Sequence, residues 1–189
     1  MPQYSSLISD HFLRPRNVGN LEAGCVTGRA GSMTCGATVR ISLRVDESQR
    51  IAEANFKAAG CSVLVAAASF LTEEIKGEQT GEVAVLVRSP ANTITEALGE
   101  IPAANAHCVA LVREALLAAI TSYSDSAREH WEGDEALICT CFCVSESTIE
   151  AAIQAGGLRT LEEVTKACNA GAGCRSCYSL IEDILGSKS

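Results

Sequence analysis

The chain has 189 residues, enough for one ordinary domain or two small ones, and is 47% hydrophobic and 20% charged, the balance of a soluble globular protein with a core to bury. Its formal charge of −8 argues against nucleic acid as a partner, because phosphate binding needs a basic surface. MPQYSSLISDHFLRPRN lacks the order of a signal peptide, and apolar runs such as VLVAAASFL at 63–71 are too short to span a bilayer, so a cytoplasmic location is expected. In that reducing compartment, ten cysteines read as metal ligands or redox groups rather than structural bridges.

The first third predicts strands. TVRISLRVD (38–46) alternates, with Val39, Ile41, Leu43 and Val45 on one face and Thr38, Arg40, Ser42, Arg44 and Asp46 on the other, the pattern of a half-buried antiparallel strand. ESQ turns the chain into a second strand, RIAEANFKA (50–58), with Ile51 and Phe56 as its larger apolar residues. After Gly60 the period changes: Val63, Ala67, Phe70, Leu71 and Glu74 follow helical spacing, and Gly77 is placed to stop that helix. GEVAVLV fits a short helix or a buried strand equally well. HCVALVREALLAAITSY (107–123) predicts a helix burying Val109, Val112, Leu116, Ala119 and Ile120.

The polar, acidic segment around SDSAREHWEGDEA reads as a linker, placing one domain at 1–124, a linker at 125–137 and a second domain at 138–189. Within the second domain, Ser147-x-x-Glu150 and Thr160-x-x-Glu163 are capping-box patterns that start two short helices, and Gly156–Gly157 stops the first. CYSLIEDILG adds a third, amphipathic through Leu180, Ile181, Ile184 and Leu185. About fifty residues of short helices make a marginal core, which a metal staple would help to fold.

This second domain contains Cys139-x-Cys141 and Cys174-x-x-Cys177. Residues at i and i+2 point to the same side of an extended segment, which brings Cys139 and Cys141 together, with Cys143 joining them if the extension continues. The glycines before Cys174 give a permissive backbone, and a helix N-terminus favours an anionic group. Four soft ligands suit an iron–sulfur cluster or zinc. The one-residue spacing favours the cluster over zinc, with thiol–disulfide chemistry third. Cys143 and Cys168 are surplus to a four-ligand site and read as small buried hydrophobes. ALICTCFCVSESTIEAAIQ and LRTLEEVTKACNAGAGCRSCYSLIEDIL resemble the bacterioferritin-associated-ferredoxin-like module of NifU proteins, over 138–186. The resemblance implies a permanent 2Fe–2S cluster on Cys139, Cys141, Cys174 and Cys177.

Four further cysteines are scattered: Cys25, Cys35, Cys61 and Cys108, the last preceded by His107. Cys35 precedes a strand, Cys61 opens a helix, and His107–Cys108 open another, positions where exposed sites and low thiol pKa values occur. From position alone, a Cys₃ or Cys₃His metal site and unconnected buried thiols are equally good readings. YSSLISDHFLRPRNVGNLE, TCGATVRISLRVD, NFKAAGCSVLVAAASFLTEEIKG and HCVALVREALLAAITSY resemble the IscU-type scaffold domain over residues 4–123. That resemblance implies an α+β fold, a small antiparallel sheet packed by helices, followed by a small all-α 2Fe–2S module. It also implies a transient 2Fe–2S or 4Fe–4S cluster, iron or zinc on Cys35, Cys61 and Cys108 with His107 adjacent. Sulfur would arrive as a persulfide from a cysteine desulfurase, with Cys108 the acceptor by analogy, and the cluster would pass to apo iron–sulfur proteins. Cys25 matches nothing in the motif.

Two residues depart from that family. Its Cys-Gly-Asp reads here as Cys35-Gly36-Ala37, which removes an exchangeable oxygen donor, so either His107 serves as fourth ligand or the cluster is held more tenaciously. Where IscU proteins have a Leu-Pro-Pro-Val-Lys chaperone motif, IPAANAHC keeps only Pro102, which favours a NifU-type scaffold without a dedicated chaperone. A further C-terminal Nfu domain is expected to be absent.

His11 and His130 lack a nearby ligand partner and read as packing or exposed histidines. Trp131 reads as a packing anchor. No phosphate loop, nucleophile elbow or zinc-protease motif occurs, so nucleotide use and hydrolysis have no support. The family resemblance implies a scaffold or carrier, a homodimer, rather than an enzyme. A ferredoxin-like electron carrier and a structural zinc protein are the alternatives.

Overall fold

Three antiparallel strands, β1 (Val26–Gly31), β2 (Thr38–Val45) and β3 (Ile51–Ala59), form a sheet in sequence order. The structure, a computed structural model, describes residues 4–89, 93–133 and 135–187; Asp134 of the expected linker lies outside them. Val39, Ile41 and Leu43 of β2 and Ala54 and Phe56 of β3 are buried, as the two-residue period requires. Ser42, expected on the open face, is buried as well. The β2–β3 turn is closed by Asp46, whose Oδ1 accepts from the amides of Ser48 and Arg50, while Gln49 takes a left-handed φ of 60°.

β1 is a strand that the sequence pattern does not predict. Its six residues include two glycines, and one of them has a packing reason: a Cβ on Gly28 would lie 2.1 Å from the Ala115 carbonyl oxygen and 2.2 Å from the Ala119 nitrogen. Gly28 pairs with Ile41, which pairs with Phe56, so the row beneath the helix carrying those alanines has no side chain at its β1 position.

The sheet is accompanied in the chain by helices α1 (Ser6–Leu13), α2 (Ser62–Glu74), α3 (Thr80–Arg88), α4 (Thr93–Leu98) and α5 (Ala106–Glu129). The ambiguous GEVAVLV segment is therefore helical, burying Val83, Ala84 and Val87. α2 ends where expected, before Gly77 at φ 83°. α5 is long and apolar enough to cross a membrane by length and composition alone. Its Val109, Val112, Ala115, Leu116, Ala119 and Ile120 are instead buried in the protein core. The helix also continues through Glu129 into residues expected to be linker, because SDSARE holds neither Gly nor Pro to break it. The Arg113 guanidinium donates to the Val87 and Ser89 carbonyls at 2.9 and 2.8 Å, tying α5 to the end of α3.

The chain divides into two compact units: Met1–Glu78 with Leu86–Ser122, and Gln79–Val85 with Tyr123–Ser189. The second holds β4 (Leu137–Cys139) and β5 (Val144–Ser145), a two-stranded ladder missing from the all-α expectation, then α6 (Glu146–Gly156), α7 (Leu161–Cys168) and α8 (Tyr178–Ser187). Ser145, not Ser147, caps α6, its hydroxyl accepting from the Thr148 amide; the Ser147 hydroxyl binds Glu135. Gly157 ends α6 in the left-handed region at φ 60°. Thr160 and Glu163 form the predicted reciprocal capping box. Of the predicted stripe on α8, Ile181 and Ile184 are buried and Leu180 is exposed. The Asn169 side chain, at the C-cap of α7, accepts from the Gly81 amide at 3.1 Å and donates to Gln79 at 3.0 Å.

Candidate metal centres

In the first unit, the sheet and two helices bring four scattered residues to one place. Cys35 stands in the β1–β2 hairpin, which is closed by Ser32 N–H to the Ala37 carbonyl and Gly36 N–H to the Ser32 carbonyl, with Gly36 at φ 71°. Cys61 is the N-cap residue of α2, and His107 and Cys108 lie in the first turn of α5. Cys61 Sγ is 3.1 Å from Cys108 Sγ, and His107 Nε2 lies 3.3 Å from Cys35 Sγ and 3.6 Å from Cys108 Sγ. The imidazole therefore joins the exposed Cys35 thiol to the half-buried Cys61 and buried Cys108.

Their protonation is set unequally. A hydrogen bond from the Ser32 hydroxyl, then the Ala37 amide and His107, lowers the Cys35 thiol to about 7. At Cys61, burial opposes the thiolate, but Cys108, the Leu64 and Val63 amides at the start of α2 and Asn105 together outweigh it, and the pKa falls. Burial, reinforced by the neighbouring Cys61, raises Cys108 to about 12. Cys108 is 1% exposed, so the residue expected to accept sulfur is buried and protonated in this arrangement, while Cys35 is open. Ala37 is buried against Gly60, where a Cβ would approach its own Cβ to 3.1 Å; Ala37 supplies a backbone donor to Cys35 but no oxygen ligand. His107 stands closest to a fourth-ligand role.

The second unit pairs its four thiols differently. Cys139 ends β4 and is buried, as is Cys177 just before α8; burial, then the charge of Cys139 and a hydrogen bond with it, raises Cys177 to about 12. Cys141 lies in the turn after β4, 3.4 Å from Cys174 Sγ, and the Cys174 amide faces Cys141 Sγ at 3.5 Å. Burial raises the Cys141 thiol, whereas the Ser176 hydroxyl and amide, then Cys141, lower the exposed Cys174 to about 7. Among the described residues no group of three or more His, Cys, Asp or Glu already forms a site for a single metal ion; the thiols meet two by two.

The extended run expected to carry Cys139 and Cys141 on one side, and Cys143 if it continued, stops at Cys139, so Cys141 and Cys143 both lie in the turn that follows. Cys143 sits in the connection to β5 at φ 52°, half-buried, and its thiol is raised chiefly by burial. Cys168 is half-buried with its thiol donating to the Val164 carbonyl, and Cys25 faces the Leu21 carbonyl at 3.8 Å. His11 is buried beside Ser69 and edge-on to Phe70, and His130 is exposed against the Ser126 carbonyl. The exposed Trp131 ring lies over Gly133. The cysteine pattern did not point to Ser32, Asn105 or Ser176, which act only through hydrogen bonds to sulfur; a small polar residue within a few positions of each cysteine was the available signal.

A resident 2Fe–2S group can be tested against the second set. Its donors are four soft thiols from two segments, and Gly173 leaves the space they need: a Cβ there would sit 2.5 Å from Cys141 Cβ and 2.6 Å from its Sγ. Donor chemistry and backbone fit such a group.

Residues 3–130 match the family described as NifU-like N terminal domain, and residues 137–187 that described as BFD-like 2Fe-2S binding domain. The chain is 34% identical over 186 residues to the nitrogen fixation protein NifU of Azotobacter chroococcum mcd 1, covering 98% of this chain and 59% of that protein. It is 36% identical over 194 residues to NifU of Nostoc sp., covering 98% and 64%. The chain thus spans about three-fifths of the length of these relatives. The iron-sulfur cluster assembly scaffold protein IscU of Haemophilus influenzae is 36% identical over 123 residues, 64% of this chain and 94% of that one. The N-terminal NifU-like protein of Brucella abortus superposes with a TM-score of 0.54 at 14% identity over 65% of this chain and 95% of that one, a likeness of fold. With both halves matched in order and close to full coverage, the chain belongs to the NifU family, a NifU-like N-terminal domain followed by a BFD-like 2Fe-2S binding domain.

Proposed function

We propose that this chain is a scaffold for iron–sulfur cluster assembly and not a turnover enzyme. The observation that supports it best is the convergence of Cys35, Cys61, Cys108 and His107 from three separate segments, linked in a chain of contacts of 3.3 Å (Cys35–His107), 3.6 Å (His107–Cys108) and 3.1 Å (Cys108–Cys61). Iron and sulfide are the substrates of that site, and an apo iron–sulfur protein receives the product. The exposed, acidified Cys35 provides the open entrance, and the helix-capping Cys61 the second thiolate. A sulfur atom passing from the persulfide of a cysteine desulfurase to Cys108 requires that residue to become accessible and lose its proton, because it is buried at rest.

Cys139, Cys141, Cys174 and Cys177 hold the resident 2Fe–2S group, which when bound supplies one-electron chemistry. Gly173 keeps the Cys174 loop close to Cys141, and the amide of Cys174 and hydroxyl of Ser176 support thiolate charge there. His107 replaces the carboxylate that the family has at position 37. The test is cluster transfer to an apo-ferredoxin, followed by visible absorption: the cluster on the first unit transfers and the resident one stays. Ala37→Asp is expected to speed that transfer; an unchanged rate rules out the role assigned to Ala37, and failure to transfer at all rules out the scaffold.

A further inference from the structure

One row of the sheet has no structural account. Arg29, Arg40 and Lys57 are directly opposite one another across β1, β2 and β3. Neighbouring strands lie about 4.8 Å apart, so the three backbone positions fall within roughly 10 Å, and like charges directly opposite one another cost stability through repulsion. The same face shows the ordinary solution at another row, where Arg44 is paired with Glu53 opposite it. Among the described residues, none of the three cations has an ion-pair or hydrogen-bond partner. This is a local excess of positive charge in a chain of net −8.

The three side chains flank an open concavity of about 830 Å³, whose other walls include Asn20, Thr38 and Ala59. Thr38 pairs with Ala59 at the end of the sheet where the hairpin bearing Cys35 and the turn into Cys61 both lie. From Arg40 to that end is two residues, roughly 7 Å of strand. Met33, in the same hairpin, is fully exposed. A small anion makes no use of an exposed thioether at that end of the sheet, whereas a protein surface covers one.

We propose that this row is the docking surface for a carboxylate-rich segment of a partner protein, seated at the end of the sheet that presents the first-unit thiols. The surface rests on charge and register and is independent of what those thiols assemble. Charge complementarity of this kind sets encounter rate and orientation, and it weakens with salt.

The test is binding of a fluorescently labelled oligoglutamate peptide to the whole chain at low salt, read by anisotropy. A net negative protein repels such a peptide unless a local patch holds it. The expected result is saturable binding, weakened by salt and reduced about tenfold or more in Arg29→Gln/Arg40→Gln/Lys57→Gln. The control Arg14→Gln/Lys166→Gln, which removes cations elsewhere, should bind as the parent does. Arg40→Gln alone should lose part of the binding while keeping or raising the urea midpoint, because it relieves repulsion; this single change also stands in if the triple variant does not fold. Absence of binding, equal binding by parent and triple variant, or equal loss in the control overturns the proposal. So does inorganic pyrophosphate displacing the peptide at matched charge, which would assign the row to small anions.

Discussion

Gly173 is the residue at which backbone conformation and cluster chemistry meet most directly. A methyl group there would fall inside the van der Waals surface of Cys141, whose sulfur also accepts from the Cys174 amide. Gly173→Ala is therefore expected to remove iron from the second unit while leaving iron uptake by Cys35, Cys61 and Cys108 intact, as iron analysis after reconstitution will show. His11 gives a separate handle on stability. Burial, then the Arg16 cation, lowers its pKa below the usual 6.5, against opposing contributions from Glu73, Asp10 and Glu74. The unfolded chain takes up a proton near pH 6.5 and the folded chain only at lower pH, so the stability contributed by neutral His11 is present above that value and lost as pH falls through the interval. The urea midpoint should drop in the parent as pH falls through and below the ordinary imidazole value of about 6.5, and this slope should flatten in His11→Gln.

At the scale of elements, α5 couples packing to the site. It lies against Gly28 of β1 and carries His107 and Cys108 in its first turn. Gly28→Ala, whose new Cβ would meet the α5 backbone, should cost roughly 1–3 kcal/mol in a denaturant titration and also weaken metal binding by moving Cys108 from Cys61. The same contact explains what could not be read in the sequence. β1 escaped notice because its buried position is a glycine, chosen for the approach of a helix more than eighty residues away. Thr160 and Glu163 were legible as a cap because the pattern is local, yet the nearly identical Ser147 and Glu150 misled, since Ser145 reaches the Thr148 amide first. α5 was cut short because polar residues were taken for a break, although none of them prevents a helix.

For the molecule as a whole, the two thiol sets differ in how far sequence alone reveals them. Cys139, Cys141, Cys174 and Cys177 declare themselves by spacing, because each pair sits on a short local segment. Cys35, Cys61 and Cys108 are brought together only by the tertiary fold, through a hairpin, a helix cap and a helix start, so their spacing in the chain does not distinguish a site from unconnected thiols. That difference matches the proposed roles: a closed local set for a resident group, and an open set assembled around an exposed Cys35 for cargo that leaves. The measurement that tests this division most directly is iron and acid-labile sulfide per chain, anaerobically, before and after incubation with iron, cysteine and a cysteine desulfurase. The account predicts about two irons per chain as isolated, retained in Cys35→Ser and lost in Cys174→Ser, and a second increment on incubation that Cys35→Ser abolishes. A colourless zinc protein, or a second increment that survives Cys35→Ser, would contradict it.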